Sequence, residues 1–367
     1  MSRDERGPRR RFLRGALVAA DAVLIVAMAA GLAARAVPPD VAWWPQVAAL
    51  ALTPGALLAV GVGVWMASKA VSGSSRTAWG AAAALHLVLA ATVALRTSGL
   101  PWIEPGSGPG LTVLSLNVGA GSAGPIGAVL DAAGPDVVGL QEAPLIAEPN
   151  AAWPDGWLLA ARPGSQALVG RRAYRIAYPE VREHTVVNDP VFSRLPLVSR
   201  SEGALADGEG AGTYSRTELV WDGRRVAVYS VHLRSFARAA EGRGGAWWRR
   251  AGRSLRDDLV RRADEAEAFR GVLAGEALPY LVLGDFNSTP DQWAYARIAA
   301  GHRDALRHPR LRPRFTFPDS VPLVRIDGVL ASPQWAVRSG WVGPKGLSDH
   351  RAVLAEVVLL SDSDPPR

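Results

Sequence analysis

The sequence LVLGDFNSTP, residues 281–290, is the stretch from which the fold of this chain is best understood. The apolar run Tyr280–Leu283 predicts a buried β-strand, and Gly284 predicts a sharp turn where Asp285 and Asn287 leave that strand. A carboxylate that positions or deprotonates water, beside an amide that donates to an oxyanion, suits phosphoryl transfer. Asp and Asn also end strands simply as turn formers, so this stretch alone leaves both interpretations open.

The apolar residues are unevenly distributed along the 367 residues. Hydrophobic residue types make up 49% of the chain, and their long Ala/Leu/Val runs in the first hundred positions predict a membrane region followed by a soluble domain. The formal net charge is +7, but residues 1–104 hold ten Lys/Arg against five Asp/Glu, which leaves only +2 for the rest. This gives little support to a nucleic-acid partner. There are no cysteines, which excludes disulfides, thiolate catalysis and Cys-based zinc sites.

Three apolar segments in the N-terminal region are long enough to cross a bilayer. They cover about residues 15–34, 43–67 and 78–95. The Arg-rich N-terminus and the short loop that begins near Lys69 are positively charged, so both are predicted to be cytoplasmic. Three spans then place everything after Arg96 on the other side. We therefore expect a multi-pass protein of the cell membrane whose C-terminal domain is extracytoplasmic.

An export signal is the competing interpretation of the first apolar segment. Residues 9–14, RRRFLR, resemble a twin-arginine signal, and residues 34–36 resemble a cleavage site. Two further apolar segments follow, which favours a retained span, and both interpretations send the C-terminal part out of the cytoplasm. Asp21 and His86 lie inside the spans, where an ionisable group is either a functional residue or a polar contact between helices.

The composition changes after the third apolar segment and sets the predicted domain boundaries. These are a membrane region over residues 1–100, a Gly/Pro-rich linker over 101–110, a catalytic domain over 111–360 and a tail over 361–367. Within the domain, short apolar runs alternate with turn residues and helical segments, which indicates an α/β fold. The two helices that we predict cover about residues 125–133 and 246–273.

Several predicted strands end in polar side chains, at the edge where open α/β sheets commonly bind ligands. These side chains belong to Asn117, Gln141, Glu142, His232 and Asp285. A carboxylate such as Glu142 suits a hard cation like Mg²⁺, and His232 can hydrogen-bond a phosphoryl oxygen. Taken singly, each of them can also be a structural residue at a strand end.

Two further groups come late in the sequence. Asp327 lies in a predicted strand over residues 323–330, and Asp349 and His350 precede the last strand. Asp349 offers a metal ligand beside an acid/base imidazole. A contact between Asp327 and His350 would fix the tautomer of the imidazole and raise its basicity.

Taken in order, these motifs resemble the endonuclease/exonuclease/phosphatase superfamily over about residues 111–360. They are Asn117, Gln141-Glu142, Ser193-Arg194-Leu195-Pro196, His232-Leu233, Gly284-Asp285-Phe286-Asn287, Ile326-Asp327 and Ser348-Asp349-His350. The resemblance implies a four-layer α/β sandwich, in which two mixed sheets pack face to face with helices outside. It also implies a Mg²⁺-dependent phosphohydrolase, with Mn²⁺ as the alternative metal.

The resemblance assigns metal binding to three residues. Glu142 would be the principal ligand with Asn117 beside it, and Asp349 would lie near the metal. Some nuclease members carry an acidic residue two positions after the Asn, whereas this chain has Gly119. Fewer metal-binding carboxylates make the nuclease branch the less favoured one.

The resemblance assigns the catalytic steps to five other residues. Asp285 would orient or activate the attacking water, and Asn287 and His232 would donate to the phosphoryl oxygens. His350, held by Asp327, would stabilise the charged transition state or move a proton. These roles agree with the chemistry of the residue types, since cation and donors offset the charge that develops on phosphorus.

The leading interpretation is a phosphohydrolase for a lipid phosphate or pyrophosphate at the outer membrane surface, because a site tethered to a membrane meets lipid phosphates at high effective concentration. Three spans joined to this domain resemble the VanJ-type membrane proteins of actinobacteria, which are associated with teicoplanin resistance and undecaprenyl pyrophosphate dephosphorylation. The alternative is an extracytoplasmic nuclease or phosphodiesterase, so nucleic acid stays open as a less favoured partner. A catalytically silent receptor or scaffold is the third hypothesis, and the full set of polar residues argues against it. The oligomeric state does not follow from the sequence.

One basic segment has two interpretations. Residues 234–262 hold nine Arg and three acidic residues, with Trp247 and Trp248 in the middle. They either dock on anionic headgroups and guide a pyrophosphate toward Asp285, or form a solvated helix face with the two Trp on the core.

Overall fold

The computed structural model describes residues 6–72, 76–98, 108–119, 130, 132–142, 145–146, 175–176, 186–187, 189–208, 210–235, 247–307 and 314–360. The chain forms two units, Met1–Thr97 and Ser98–Arg367. Residues 101–107 of the predicted linker and the predicted tail lie outside the described residues.

Four helices make up the described part of the N-terminal unit. They are α1 (Arg6–Ala33), α2 (Trp44–Leu50), α3 (Leu52–Ser72) and α4 (Arg76–Ser98). Three segments, Gly15–Ala36, Leu52–Lys69 and Thr77–Arg96, are long and apolar enough to cross a membrane, as predicted. The predicted start of the second span is wrong, because α2 is a separate short helix. Pro54 accounts for the break, since it has no N–H to donate to the carbonyl of Leu50.

The two ionisable residues inside the spans lie against each other. His86 Nε2 is 2.9 Å from Asp21 Oδ1, and His86 Nδ1 is 2.8 Å from the carbonyl oxygen of Ala82. His86 is fully buried within the unit. The pair is thus a polar contact between α1 and α4.

Two six-stranded mixed sheets form the C-terminal unit. From edge to edge, the first contains β13 (Trp335–Val342), β14 (Val353–Leu359), β1 (Gly110–Asn117), β2 (Val137–Gln141), β6 (Val191–Ser193) and β4 (Arg175–Ile176). The second contains β11 (Arg303–Asp304), β12 (Asp327–Ala331), β10 (Tyr280–Asp285), β9 (Arg224–His232), β8 (Thr213–Trp221) and β7 (Leu197–Ala204). Two short strands, β3 (Leu145–Ile146) and β5 (Val186–Val187), pair separately. Each six-stranded sheet has one parallel pair, β1/β2 or β9/β10, flanked by antiparallel strands.

Alternation along the central strands explains how the layers pack. In β9, Val226 and Val228 join the core between the two sheets, whereas Tyr229 joins the core beneath the helices α5 (Trp247–Ala274) and α6 (Trp293–Ala299). Leu130, in a helical segment, packs on the outer face of the first sheet. The order helix, sheet, sheet, helix confirms the predicted fold class.

The predicted element boundaries agree with the structure in part. Helix α5 confirms the helix predicted over 246–273, whereas only residues 130, 132 and 133 of the helix predicted over 125–133 are described, and they are helical. The strand predicted over 323–330 begins only at Asp327. The reason is a side-chain contact, because the backbone N–H groups of Ile326 and Asp327 donate to Thr316 Oγ1 at 3.1 and 3.2 Å.

The residues that face the core between the sheets change from apolar to polar toward the carboxyl ends of the central strands. In β1, Leu111 and Val113 are followed by Ser115 and Asn117, all four buried. Strand β9 shows the same change and ends in His232. Buried polar groups require partners, so this end of the sandwich forms a hydrogen-bonded layer instead of an apolar core.

Candidate active site

The two parallel strand pairs end together at one edge of the sandwich. Asn117 of β1 is level with Gln141 of β2, and Asp285 of β10 is level with His232 of β9. Gln141 Nε2 donates to Ser230 Oγ of the other sheet at 2.9 Å. The two sheets thus bring four strand ends around one point.

The side chain of Asn117 connects carboxylates from the two sheets. Its amide nitrogen donates to Glu142 Oε1 at 3.1 Å and to Asp285 Oδ2 at 3.0 Å. Its carbonyl oxygen accepts the N–H of Gly119 at 2.8 Å. Glu142 has φ 55°, a left-handed conformation that non-glycine residues adopt mainly where the surroundings impose it, often at functional sites. Metal binding by Asn117 and Glu142 stays a prediction; the structure shows that Asn117 holds the two carboxylates together.

His232 faces the same two carboxylates. Its Nε2 lies 3.7 Å from Glu142 Oε1 and 3.7 Å from Asp285 Oδ2. This nitrogen is buried and makes no hydrogen bond within the described part of the chain. A buried ring nitrogen at this point is placed to contact an oxygen of a bound ligand, as predicted for a phosphoryl oxygen.

Near His232 lies a buried carboxylate that sequence reasoning missed. Asp189 is only 3% exposed, and its side chain accepts a hydrogen bond from Thr213, the residue paired with His232 across β8 and β9. Burial raises the pKa of Asp189 to about 6, although the charge of His232 and the Thr213 hydrogen bond oppose the shift. The sequence around it, Asn188-Asp189-Pro190, is typical of an exposed turn and gave no sign of burial.

Asp285 is fixed by the residues that follow it. The N–H of Asn287 donates to Asp285 Oδ1 at 2.8 Å, and Asn287 Nδ2 donates to Asp285 Oδ2 at 3.2 Å and to the carbonyl of Leu233 at 2.8 Å. Asn287 therefore orients Asp285 here, and its predicted donation to phosphate stays a prediction. The turn predicted at Gly284 is wrong: Gly284 lies within β10, and the left-handed residue is Asn287, with φ 46°. A side chain at 284 would lie 2.5 Å from the carbonyl oxygen of Val231, so close packing accounts for this glycine.

His350 and Asp327 form the contact that the sequence analysis anticipated. His350 Nδ1 lies 3.1 Å from both carboxylate oxygens of Asp327, and its Nε2 lies 3.9 Å from Asp285 Oδ2. Burial opposes protonation, but the charges of Asp327 and Asp285 outweigh it and raise the pKa of His350 to about 10. Burial also raises the pKa of Asp327, against the charge of His350. We assign the pair at neutral pH as an imidazolium and a carboxylate.

Asp349 lies beside Gly119, at the rim of the site. Gly119 has φ 60°, and a β-carbon added there would overlap Asp349 Oδ1. The neighbouring Ser348 Oγ donates to the carbonyl of Asn117 at 2.6 Å and accepts the N–H of His350 at 2.8 Å. Asp349 occupies the space in which a side chain at position 119 would begin, so Gly119 leaves room for this carboxylate.

These donors suit a hard divalent cation. Glu142 Oε1 and Asp285 Oδ2 both accept hydrogen bonds from Asn117 Nδ2, and His232 Nε2 lies 3.7 Å from each of these oxygens. Oxygen donors are what Mg²⁺ and Mn²⁺ prefer. Asp285, Asp327 and His350 form a second group, in which one possible ligand atom from each residue lies within 4.8 Å of the other two. Metal binding by Asn117, Glu142 and Asp349 stays a prediction, and the structure adds Asp285 to the carboxylates next to Asn117.

The predicted basic segment is only partly described. Helix α5 begins at Trp247, but the side chains of residues 236–252 lie outside the described residues. The placement of Trp247, Trp248, Arg249 and Arg250 relative to the site stays a prediction.

Comparison with known proteins places this site within a recognised family. A model of the endonuclease/exonuclease/phosphatase family matches residues 114–350, which include all eight predicted site residues and end at His350. No curated protein matches the chain.

Solved structures match this chain at low identity. A humanized TDP2 from D. rerio is 13% identical, with 68% of this chain and 99% of that chain covered and a TM-score of 0.46. An endonuclease/exonuclease/phosphatase from Beutenbergia cavernae DSM 12333 is 20% identical, with 69% and 72% covered and a TM-score of 0.44. The mannosyl-6-phosphatase Bt3783 of Bacteroides thetaiotaomicron VPI-5482 is 15% identical, with 68% and 100% covered and a TM-score of 0.42. No substrate follows from these similarities.

Proposed function

The chain belongs to the endonuclease/exonuclease/phosphatase family, and on this premise we propose that it is a membrane-anchored phosphohydrolase acting on a lipid phosphate or pyrophosphate such as undecaprenyl pyrophosphate. Members of this family are metal-dependent phosphoesterases and nucleases. The observation that carries the proposal is the convergence of Glu142 and Asp285 on Asn117, with His350 Nε2 3.9 Å from Asp285 Oδ2.

Each group in the site has a role that its position supports. Glu142 and Asp285 would hold a divalent cation, which would supply positive charge to offset the charge developing on a phosphoryl group. Asp285, fixed by Asn287, is placed to orient a water molecule for attack. His232 offers its free Nε2 to a phosphoryl oxygen, and the imidazolium of His350 can donate its Nε2 proton to a leaving oxygen.

The lipid substrate is supported by the N-terminal unit. Three helices there are long and apolar enough to cross a membrane, and the flanking positive charges favour an extracytoplasmic C-terminal unit. In sequence, only the residues between Ser98 and Gly110 separate the last of these helices from β1. A short tether of this kind favours substrates that are themselves held in the bilayer. The VanJ-like assignment and a part in teicoplanin resistance belong to this proposal.

The test is phosphate release by the full-length, detergent-solubilised protein. We expect release from undecaprenyl pyrophosphate with Mg²⁺, loss of release with a chelator, and no nicking of supercoiled plasmid. Asp285→Ala should lower turnover by at least about 10²-fold, the loss typical of removing one preorganised polar group from a site. Asp222→Asn, at the turn between β8 and β9, is the matched control and should keep full activity.

Metal binding provides a readout that needs no substrate. Glu142→Gln should weaken Mn²⁺ binding, measured by calorimetry or electron paramagnetic resonance, by at least about tenfold. Plasmid nicking without phosphate release would move the assignment to the nuclease alternative. Normal Mn²⁺ affinity in both Glu142→Gln and Asp285→Ala would overturn the metal site itself.

A further inference from the structure

The C-terminal unit exposes a few large apolar side chains. Among its described residues, Val198, Val321, Leu323 and Trp341 are strongly exposed, at 47, 61, 52 and 39%. Single exposed apolar residues are ordinary on protein surfaces. Two of these four, however, lie within one short turn, residues 318–323, which we call the lip.

The lip is attached directly to the catalytic residues. Phe317 and Val324 pair across its base, and the N–H of Leu323 donates to the carbonyl of Phe317 at 3.1 Å. The ring of Phe317 packs on the imidazole of His350, with centroids 4.7 Å apart. On the other side of the turn, the N–H of Asp319 donates to the carbonyl of Asp349 at 2.7 Å. Whatever the lip contacts is therefore held near His350 and Asp349.

A cation borders the two apolar side chains. The exposed Lys345 places its Nζ 3.5 Å from the carbonyl oxygen of Ser320, within the lip. The carboxylate of Asp319 accepts the N–H of Gly346 at 2.9 Å and lies 3.9 Å from Arg351 Nε, so its charge is directed back into the protein. The outer surface of the lip thus presents two aliphatic side chains and one ammonium group.

This combination is complementary to the surface of an anionic bilayer. Aliphatic side chains enter the acyl boundary, and a lysine at its edge pairs with headgroup phosphates. We propose that the lip docks on an anionic lipid surface and thereby brings the site to the headgroup region where a lipid phosphate lies. The inference rests on the proposed function for its substrate, but the contact with lipid can be measured without any turnover.

The absence of cysteine from the sequence allows a direct test. Val321→Cys and Leu323→Cys each introduce a single thiol into the full-length protein, which is labelled with a small fluorophore and reconstituted into vesicles of phosphatidylcholine and phosphatidylglycerol in equal parts. The control is Val198→Cys on β7, which is similarly exposed. Val198 lies far from the active site along the second sheet, because its neighbour Leu197 pairs with Leu219, toward the end of β8 opposite to the Thr213–His232 pair.

We expect brominated lipids to quench the labels at 321 and 323 at least twofold more than the label at 198, and aqueous iodide to show the reverse order. Equal quenching at the three positions by both reagents would overturn the docking. Replacing Lys345 with Gln should reduce the lipid quenching at 321, and no change would remove the lysine from the proposal. Quenching of the labels by lipid without hydrolysis of any lipid phosphate would reject the proposed function and leave the docking intact. Hydrolysis of a lipid phosphate while the labels at 321 and 323 are quenched only by aqueous iodide would reject the docking and support the proposed function.

Discussion

Asp327→Asn isolates the contribution of the carboxylate that holds His350. Burial opposes protonation of the imidazole, but three carboxylates outweigh it, namely Asp327 at 3.1 Å, Asp285 at 3.9 Å and the adjacent Asp349. Together they raise the pKa of His350 from an ordinary 6.5 to about 10. Asn keeps an oxygen that can accept the Nδ1 proton but removes the charge. The pKa of His350 should therefore fall toward 6.5. The remaining charge of Asp285 should keep part of the upward shift.

The size of the effect follows from the populations of the two protonation states. At about pH 8, an imidazole with the wild-type pKa is almost fully protonated, whereas one that titrates near 6.5 is protonated to only about 3%. If the imidazolium donates the proton in turnover, activity at this pH should fall by up to about 30-fold, with a much smaller loss near pH 6. The same shift links to stability, because the stabilisation from a raised His pKa is complete below about 6.5 and is lost as the pH rises through about 10.

The assay is the pH dependence of kcat for metal-saturated protein, from about pH 5.5 to 9.5. Wild type should keep its activity to a higher pH than Asp327→Asn, because a cation bound at Asp285 would offset the charge of that carboxylate but leave the charge of Asp327 acting on His350. The control is Asp136→Asn, which removes a carboxylate bonded to the N–H of Thr112 and should lower stability without moving the profile. A variant at 327 with a lower rate but an unchanged profile would refute the reasoning, because it would show that Asp327 does not set the protonation of His350.

Two other substitutions test features of the site. Asp189→Asn removes a buried carboxyl group whose pKa is raised to about 6. The folded wild type binds more protons than the unfolded chain, so its free energy of unfolding falls as the pH rises from about 4 to 6. Denaturant unfolding should show the variant up to about 3 kcal/mol more stable than wild type above that range and equally stable below it. Equal pH dependence of the two proteins would contradict the buried charge. Gly119→Ala should weaken Mn²⁺ binding and lower the Tm, because residue 119 has a left-handed backbone and its new methyl group would overlap Asp349. Gly301→Ala is the control: residue 301 also has a positive φ, 82°, but open space surrounds it, so only the backbone cost of about 1 kcal/mol is expected. Similar Mn²⁺ affinities for the two alanine variants would show that the contact with Asp349 is unimportant.

The strands and the α/β class were predictable because buried strands have a direct signature, whereas the packing of two sheets into a sandwich came from the resemblance to a known family. Apolar runs such as Leu281–Leu283 are buried on both faces, and the change to polar residues at their carboxyl ends identified the edge of the sandwich. The contact between Asp327 and His350 was also anticipated, since a carboxylate beside an imidazole is a recurrent pair. The boundaries that failed, at Leu52 and Asp327, depend on Pro54 and on the side chain of Thr316.

The remaining features depend on contacts between distant residues. The hydrogen bond from Asn117 to Asp285 joins positions 168 apart, and nothing local distinguishes it from the predicted role of Asn117 as a ligand. Asp189 appears in a turn-like sequence and is buried only because Thr213 and the end of β9 lie over it. Gly119 is explained by Asp349, which occupies the space where its side chain would begin.

The Asn117 bridge makes the site a reporter of assembly. Glu142 and Asp285 come from different sheets and from opposite halves of the domain, so neither half alone contains a pair of carboxylates held by Asn117. A polypeptide cut between β6 and β7 should be inert as separate fragments and should regain Mn²⁺ affinity only when the fragments associate. Recovery of metal affinity during refolding would then report when the two fragments associate, and ion binding would stabilise the associated state by an amount that grows with the logarithm of the ion concentration divided by its Kd.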